Sequence, residues 1–330
     1  MLCCKEWNHR RWTWDQYEKN FSVKELIWES RIMRKLFTVA IALSFVLAAH
    51  AKRPAGEYRI MTCNIRITGL EEDASYPERV WENRRNLCVK TIKDRNPDFF
   101  CLQEVIYDSY SWFVDKFGKD YYYFGFVGPE MDPWTEGYHF IGKNVIFFKK
   151  SRFEWVSSGT YWLSETPTIA GSMSWGTNRA RHCNWVRIRD KKTGQELRLV
   201  NTHLDHKSDP ARREQIKMVV EECDQYPSWM PQILCGDFNA GIESAPIQFI
   251  RTKEDWKEMY EDIHGQGEAG RTYHGFLGEE KGPGHRIDFI FHKGPVETLD
   301  ATVIKDHDGP MYPSDHYFVV ADFRVPLDKD

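Results

Sequence analysis

Eight polar side chains stand at the ends of apolar runs: Asn64, Glu104, His203, Asp237, Asn239, Asp288, Asp315 and His316. Residues 233–240 read Ile-Leu-Cys-Gly-Asp-Phe-Asn-Ala. An apolar run closed by glycine predicts a buried strand reaching its end. Alternation along that strand would turn Asp237 and Asn239 to the same side. A carboxylate beside an amide suits a hard cation, or the water such a cation activates. Taken alone, Gly, Asp and Asn suit a turn just as well. The others have plain explanations too: a strand end for Asn64, a helix cap for Glu104, a structural histidine at His203, a pair with Arg286 for Asp288, a turn at Asp315 and His316. Together they resist those explanations, because burying such groups unpaired at the mouths of six strands is costly. Gathered around one cation and one anion, they satisfy one another. The chemistry these types suit is phosphoester hydrolysis. A divalent cation would neutralise the phosphoryl and leaving oxygens, an acid–amide pair would position the attacking water, and imidazoles would meet the developing charge. Oxygen ligands without a thiolate point to Mg2+ or Mn2+.

Strands must carry these residues. Residues 58–67, 98–105, 121–127, 144–149, 183–189, 196–201, the run from 233, 285–292, 301–304 and 314–325 read as strands. Residues 80–92, 109–117, 210–223 and 246–252 read as helices, with Pro210 in a first turn. A polar stretch through Trp134 and Glu136 predicts a surface loop. No short repeat and no Pro/Gly/Ser-rich linker divides the chain. Strands mixed with helices, many strands consecutive, predict two packed sheets with helices outside, in one domain over residues 52–330. The segment after residue 166 holds Pro167, Gly171 and Gly176 and is rich in Trp and Arg, which favours a functional loop over disorder. Within it Arg181 and Arg179 could grip a phosphate, and Trp175 or Trp185 could stack on a base or sugar. Arg181 is the better of the two arginines because it abuts the strand that starts at Cys183.

The 330 residues are 41% hydrophobic and 15% aromatic, ample for a large core, and the net charge of -4 does not advertise a general polyanion binder. Residues 33–51 combine Met33-Arg34-Lys35, an apolar run and Ala49-His50-Ala51, the pattern of a secretory signal peptide cleaved after Ala51. The run is too short to span a bilayer comfortably. A periplasmic or secreted protein is therefore expected. Residues 1–32, rich in Trp, Lys, Arg and Glu, read as a non-native preface, with Met33 as the true start. Residues 1–51 hold eight Lys/Arg and five Asp/Glu, which leaves 37 against 44 beyond them, net -7. An anionic substrate must then be drawn by a local site with a bound cation. Of the six cysteines beyond residue 51, Cys63, Cys101 and Cys235 sit in apolar strand-like runs, which favours buried free thiols over disulfides.

The set Cys63-Asn64-Ile65, Leu102-Gln103-Glu104, Asn201-Thr202-His203-Leu204, Gly236-Asp237-Phe238-Asn239-Ala240, Arg286-Ile287-Asp288-Phe289-Ile290 and Ser314-Asp315-His316 resembles the endonuclease/exonuclease/phosphatase superfamily. The motifs follow the family's order and span nearly all of residues 52–330. The resemblance implies a four-layer α/β sandwich, two packed mixed β-sheets flanked by helices. It implies a secreted Mg2+-dependent phosphodiesterase, nuclease or phosphatase, working by in-line attack of an activated water on phosphorus. Glu104 would be the principal metal ligand, supported by Asn64 and Asp315. Asp237 would orient or deprotonate the water, with Asn239 holding water or phosphate. His316, oriented by Asp288, would contact the phosphate, and His203 would contact the phosphate or help the leaving group. Nucleic acid or nucleotide is the first substrate expected, phospholipid or sugar phosphate the second, for a monomer with no inferable protein partner. Two departures stand out. Arg66 occupies the position where some relatives carry an acid. The run Gly142-Lys143-Asn144 offers no acid either, which is unlike secreted deoxyribonucleases and similar to deadenylases and sphingomyelinases. Residues 162–167, Trp175-Gly176 and Arg179/Arg181 are similar to a secreted bacterial branch. The alternative, an inactive binding protein on the same scaffold, would need losses among these positions, and each is filled.

Overall fold

Strands form where apolar side chains alternate between two buried faces, and the computed structural model places them in two six-stranded sheets. It describes residues 53–127, 141–266, 270–278 and 286–327. The leader and preface expected over residues 1–51, the loop through Trp134 and Glu136, and residue 285 of an expected strand lie outside these. The elements run β1 (Glu57–Asn64), α1 (Glu71–Ala74), α2 (Trp81–Arg95), β2 (Phe99–Val105), α3 (Tyr107–Phe117), β3 (Tyr121–Phe124), β4 (Lys143–Lys149), β5 (Phe153–Trp162), β6 (His182–Asp190), β7 (Glu196–His203), α4 (Asp209–Cys223), β8 (Gln232–Asp237), α5 (Ala245–Arg251), β9 (Trp256–Glu258), α6 (Met259–His264), β10 (Asp288–Lys293), β11 (Glu297–Ile304) and β12 (Phe318–Arg324).

One sheet has the order β11-β12-β1-β2-β4-β3 and the other β5-β6-β7-β8-β10-β9. Each contains one parallel pair, β1 with β2 and β7 with β8, and antiparallel neighbours otherwise. Between the sheets lies a core of Tyr58, Ile60, Phe99, Cys101 and Ile146 from one and Val186, Leu199, Ile233, Cys235 and Ile290 from the other. The outer face of the first sheet packs Met61, Phe100 and Phe147 against Trp81, Ile92 and Phe113 of α2 and α3. The outer face of the second packs Val200, Leu234 and Phe289 against Ile216, Val220 and Ile247 of α4 and α5. Helix, sheet, sheet and helix give the expected α/β sandwich. The six cysteines of the described residues are buried with free thiols, as their apolar settings suggest.

Some elements escaped the sequence reading. The first half of β5 packs only Phe153 into the core and exposes its next two residues, so it shows no run of buried positions. The three residues of β9 and the six of α6 are too short to carry a period.

Candidate active site

The core between the sheets turns polar at one end. Alternation along β1 sets Asn64 on the same face as Ile60, along β7 His203 with Leu199, and along β8 Asp237 with Ile233 and Cys235. One layer beneath them, Gln103 Nε2 donates across the sheets to Asn201 Oδ1 (2.8 Å), and Asn201 Nδ2 donates to the Leu102 carbonyl (2.9 Å). These amides fasten β2 to β7 directly under the site.

Glu104 breaks the alternation. A regular strand would send it to the helix side with Phe100 and Leu102. A bulge between Leu102 and Val105, with a φ of 64° at Glu104 itself, turns it into the cavity instead. Gly142 makes this possible, since a Cβ there would come 2.9 Å from Glu104 Cα. Glu104 Oε1 accepts from Asn64 Nδ2 (3.2 Å) and Oε2 from the Ile67 N–H (2.8 Å). Burial opposes ionisation, but His316, the Ile67 N–H, Arg66 and Asn64 together hold this carboxyl below its ordinary range.

Asp237 is fixed by the close approach of β7 and β8. Gly236 has φ 144°, and a Cβ on it would stand 1.9 Å from the Thr202 carbonyl oxygen. The expectation that Asp237 and Asn239 share a strand face is corrected here. The strand ends at Asp237, and Asn239 is left-handed (φ 47°), its N–H bonded back to Asp237 Oδ1 (2.8 Å). The turn still delivers Asn239 to the site, with Nδ2 donating to the Leu204 carbonyl (3.1 Å) and lying 2.9 Å from His203 Nε2. Turn and site are one feature.

Three side chains converge on a single oxygen. Asp237 Oδ2 lies 2.9 Å from Asn64 Nδ2, 3.3 Å from His203 Nε2 and 3.9 Å from His316 Nε2. Burial, and then the neighbouring Asp288 carboxylate, push Asp237 up to about 7. His316 Nδ1 bonds Asp288 Oδ2 at 2.8 Å. Burial works against the imidazolium, but Asp288, Asp315 and Asp237 raise His316 to about 10. His203 is driven the other way, well below its ordinary value, by burial and by Arg181 and His316. One imidazole is thus charged and the other neutral at pH 7. Asp315 holds Ser314 Oγ on Oδ1 (3.1 Å) and Arg66 Nη1 3.4 Å from Oδ2. Arg66 also pairs with Glu72 and with Asp73 (3.1 Å), so the residue that replaces an acid ties α1 to Asp315.

The donor set fits a divalent cation. Glu104, Asp237 and Asp315 line one cavity, and Glu104, His203 and Asp237 offer ligand atoms within 4.8 Å of one another. A second trio, Asp237, Asp288 and His316, is equally compact. There His316 Nδ1 and Asp288 Oδ2 already bond each other at 2.8 Å. Asn64 differs from the expectation: its Oδ1 accepts the Arg66 N–H (3.0 Å) and its amide nitrogen faces the two carboxylates. It positions Glu104 and Asp237 and presents no oxygen to a metal in this arrangement.

A cavity of about 460 Å³ opens over these groups, walled by Arg179, Arg181, His206, Tyr273 and Arg66. Arg181 and Arg179, the two arginines expected to meet substrate, both line this cavity. Trp175 is not among the described residues lining the cavity; its carbonyl accepts from Ser208 Oγ (2.9 Å). Trp185 packs 4.9 Å from Arg198 and near Tyr226, away from the site. Arg286 pairs with Glu258 and Glu261, which leaves Asp288 to His316. Sequence reasoning missed Thr272, whose Oγ1 accepts the N–H of Ile287 (3.0 Å) and Asp288 (3.1 Å) while its carbonyl accepts from Tyr317 N (2.7 Å). One residue thus clamps both halves of the His316–Asp288 pair, and nothing in its local sequence signals it. His206 was legible only as the second histidine of His203-Leu204-Asp205-His206.

The model of the Endonuclease/Exonuclease/phosphatase family matches residues 61–316. Nocturnin of Xenopus laevis is 26% identical over 300 residues, 82% of this chain and 73% of that protein. The solved structure of an endonuclease/exonuclease/phosphatase from Bacteroides vulgatus superimposes with a TM-score of 0.71 at 26% identity, covering 82% of this chain and 99% of that one. A mannosyl-6-phosphatase of Bacteroides thetaiotaomicron superimposes with a TM-score of 0.70 at 24% identity, covering 81% and 99%. The match runs from within β1 to His316 and so takes in every residue gathered at the cavity mouth. The chain belongs to the endonuclease/exonuclease/phosphatase family of phosphoester hydrolases.

Proposed function

We propose that the protein is an exported, Mg2+- or Mn2+-dependent hydrolase of phosphoesters. The observation that carries this reading is the meeting of Asn64, His203 and His316 at Asp237 Oδ2 beside Glu104. Glu104 and Asp315 would hold the cation, with Asn64 steering Glu104. When bound, the cation neutralises charge on the phosphoryl and departing oxygens. Asp237, raised toward neutrality, takes a proton from the attacking water while Asn239 and His203 fix the direction of attack. The water oxygen bonds to phosphorus as the P–O bond to the leaving group breaks in line with it. The departing oxygen takes its proton from solvent. His316, charged and held by Asp288, donates to a non-bridging oxygen. His203 is neutral at pH 7 and contributes a hydrogen bond, not a proton. The cavity volume suits a nucleotide or a sugar phosphate better than a duplex, and the net charge agrees. The apolar run of residues 36–49 supports export.

The test is a panel of nucleotides, sugar phosphates, single-stranded DNA, RNA and sphingomyelin, assayed with Mg2+ and again with EDTA. Turnover of at least one phosphoester that EDTA removes is expected. Chelator-insensitive turnover, or none on any of them, would sink the reading.

A further inference from the structure

Among the described residues four arginines are buried: Arg84, Arg181, Arg198 and Arg286. A buried guanidinium is tolerated when carboxylates or carbonyls meet it. Arg198 has Glu222 in a forked pair (2.7 and 2.6 Å), and Arg286 has Glu258 (2.9 Å) and Glu261 (3.2 Å). Arg84 donates to the carbonyls of Ile65, Arg66, Arg79 and Pro313. Arg181 is the exception. Its one hydrogen bond among the described residues runs from Nη2 to His206 Nδ1 (3.3 Å); an Nε without a partner it shares with Arg198 and Arg286, but unlike them it has no described carboxylate within ion-pair distance. Yet it is 95% buried and lines the cavity beside Glu104 and His203. Because the guanidinium can only donate, His206 Nδ1 must accept, and the ring proton sits on Nε2 as a second donor.

The pair is built in advance of any ligand. Asp205 Oδ1 accepts from Thr177 Oγ1 (2.8 Å) and Asn178 N (3.1 Å), and its Oδ2 accepts from the N–H groups of Lys207 and Ser208. Leu163 N–H donates to the Arg181 carbonyl (2.7 Å). The arm carrying Arg181 is therefore pinned to the turn that carries His203 and His206. An anion-ready cation stands at a fixed place next to the reacting group.

We propose that Arg181 and His206 form a subsite for the second negative charge of a terminal phosphate, so that the enzyme takes phosphate monoesters of small molecules in preference to diesters. The inference rests on the hydrolase reading above and narrows it. A diester phosphate carries one charge, which the cation and His316 already meet. A monoester carries up to two at neutral pH, because its second ionisation falls near ~6. The extra oxygen completes the guanidinium fork, and esterifying that oxygen forfeits the pair.

The experiment is calorimetric binding of inorganic phosphate and of dimethyl phosphate, with Mg2+ present, to the wild type, Arg181→Met and Arg181→Lys. Phosphate should bind at least ~30-fold more weakly to Arg181→Met, the scale of a desolvated charge pair, while dimethyl phosphate changes less than ~3-fold. Arg181→Lys should recover part of the loss. Equal weakening of both ligands, or unchanged phosphate binding, overturns the proposal. Thermal melting without ligand supplies a second readout. Arg181→Met should melt higher, because an unpaired buried cation has been removed; a lower melting temperature marks Arg181 as structural and overturns it too. These readouts need no turnover, so failure of the hydrolase reading appears separately, in the wild type's EDTA-sensitive assay.

Discussion

Each sheet is built around one parallel pair joined by a 15-residue helix, β1-α2-β2 in one and β7-α4-β8 in the other. Antiparallel neighbours fall at matching places, β12 and β4 around the first pair, β6 and β10 around the second. Both units bring two polar residues to the ends of their parallel strands: Asn64 and Glu104 in the first, His203 and Asp237 in the second. The plan is shared and the electrostatics are opposed. Glu104 faces an amide, a backbone N–H, Arg66 and His316, so it stays ionised. Asp237 lies buried against another carboxylate, Asp288, so it titrates near neutrality, where it can take up a proton. Topology supplies places at a sheet edge; the neighbours of each place decide whether an acid serves as a ligand or as a base.

The sharpest way to break this comparison is to remove each acid's charge in turn. Glu104→Gln should abolish turnover and weaken Mg2+ binding about 100-fold or more in a calorimetric titration. Asp237→Asn should lower kcat about 1,000-fold, within the range of a lost general base, and leave the Mg2+ affinity within about tenfold of the wild type. Circular dichroism should show both variants folded. If Asp237→Asn loses the metal as completely as Glu104→Gln, the two units do not divide the labour.

A smaller effect tests the link between the units, the His316–Asp288 pair. His316 titrates higher in the folded protein than in the unfolded chain. Its contribution to stability is therefore complete below about 6.5, the ordinary histidine value, and is lost as pH rises through about 10. Asp237 runs in the same direction: raised from 3.8 to about 7, its folded-state preference for the proton fades as pH climbs through that range. Asp288→Asn removes the partner of His316 and the carboxylate that raises Asp237. In EDTA, wild type and variant should differ most in melting temperature at pH 6, and the gap should close toward pH 10. A gap independent of pH would show that Asp288 acts through packing alone.

The sequence disclosed the site more fully than it disclosed the reasons the site can exist. Asn64, His203, Asp237 and Asp288 continue the period-two pattern of apolar strands, so their shared face was legible from alternation. Glu104 was legible as a residue near a strand end. The bulge and left-handed backbone that aim it were not, because they depend on Gly142, 38 positions away, leaving room for its Cα. Thr272 and His206 act through contacts with segments remote in sequence, or through one ring nitrogen, and leave no periodic trace. Trp175 shows the opposite error. An aromatic residue in a functional-looking loop suggested stacking, but its part in the structure is the backbone carbonyl that anchors the arm.

That anchor also separates the two crossover helices. Val80 begins α2 without a side-chain cap, whereas Ser208 begins α4 with its Oγ accepting the Ala211 N–H (3.2 Å) and donating to the Trp175 carbonyl (2.9 Å). One hydroxyl thus ends a helix and fastens the loop that carries Arg179 and Arg181. Ser208→Ala should cost about 1 kcal/mol in denaturant unfolding, the usual loss for a missing cap. It should also raise KM a few-fold, because the arm must be ordered at the expense of binding energy. The value of kcat should hold, since Asp237 and Asn239 are positioned by β8, by its turn and by the Leu204 carbonyl, none of which the hydroxyl touches. A fall in kcat at unchanged KM would place the arm's influence on the reacting groups themselves, and the second crossover would then govern the chemical step as well as the grip on substrate.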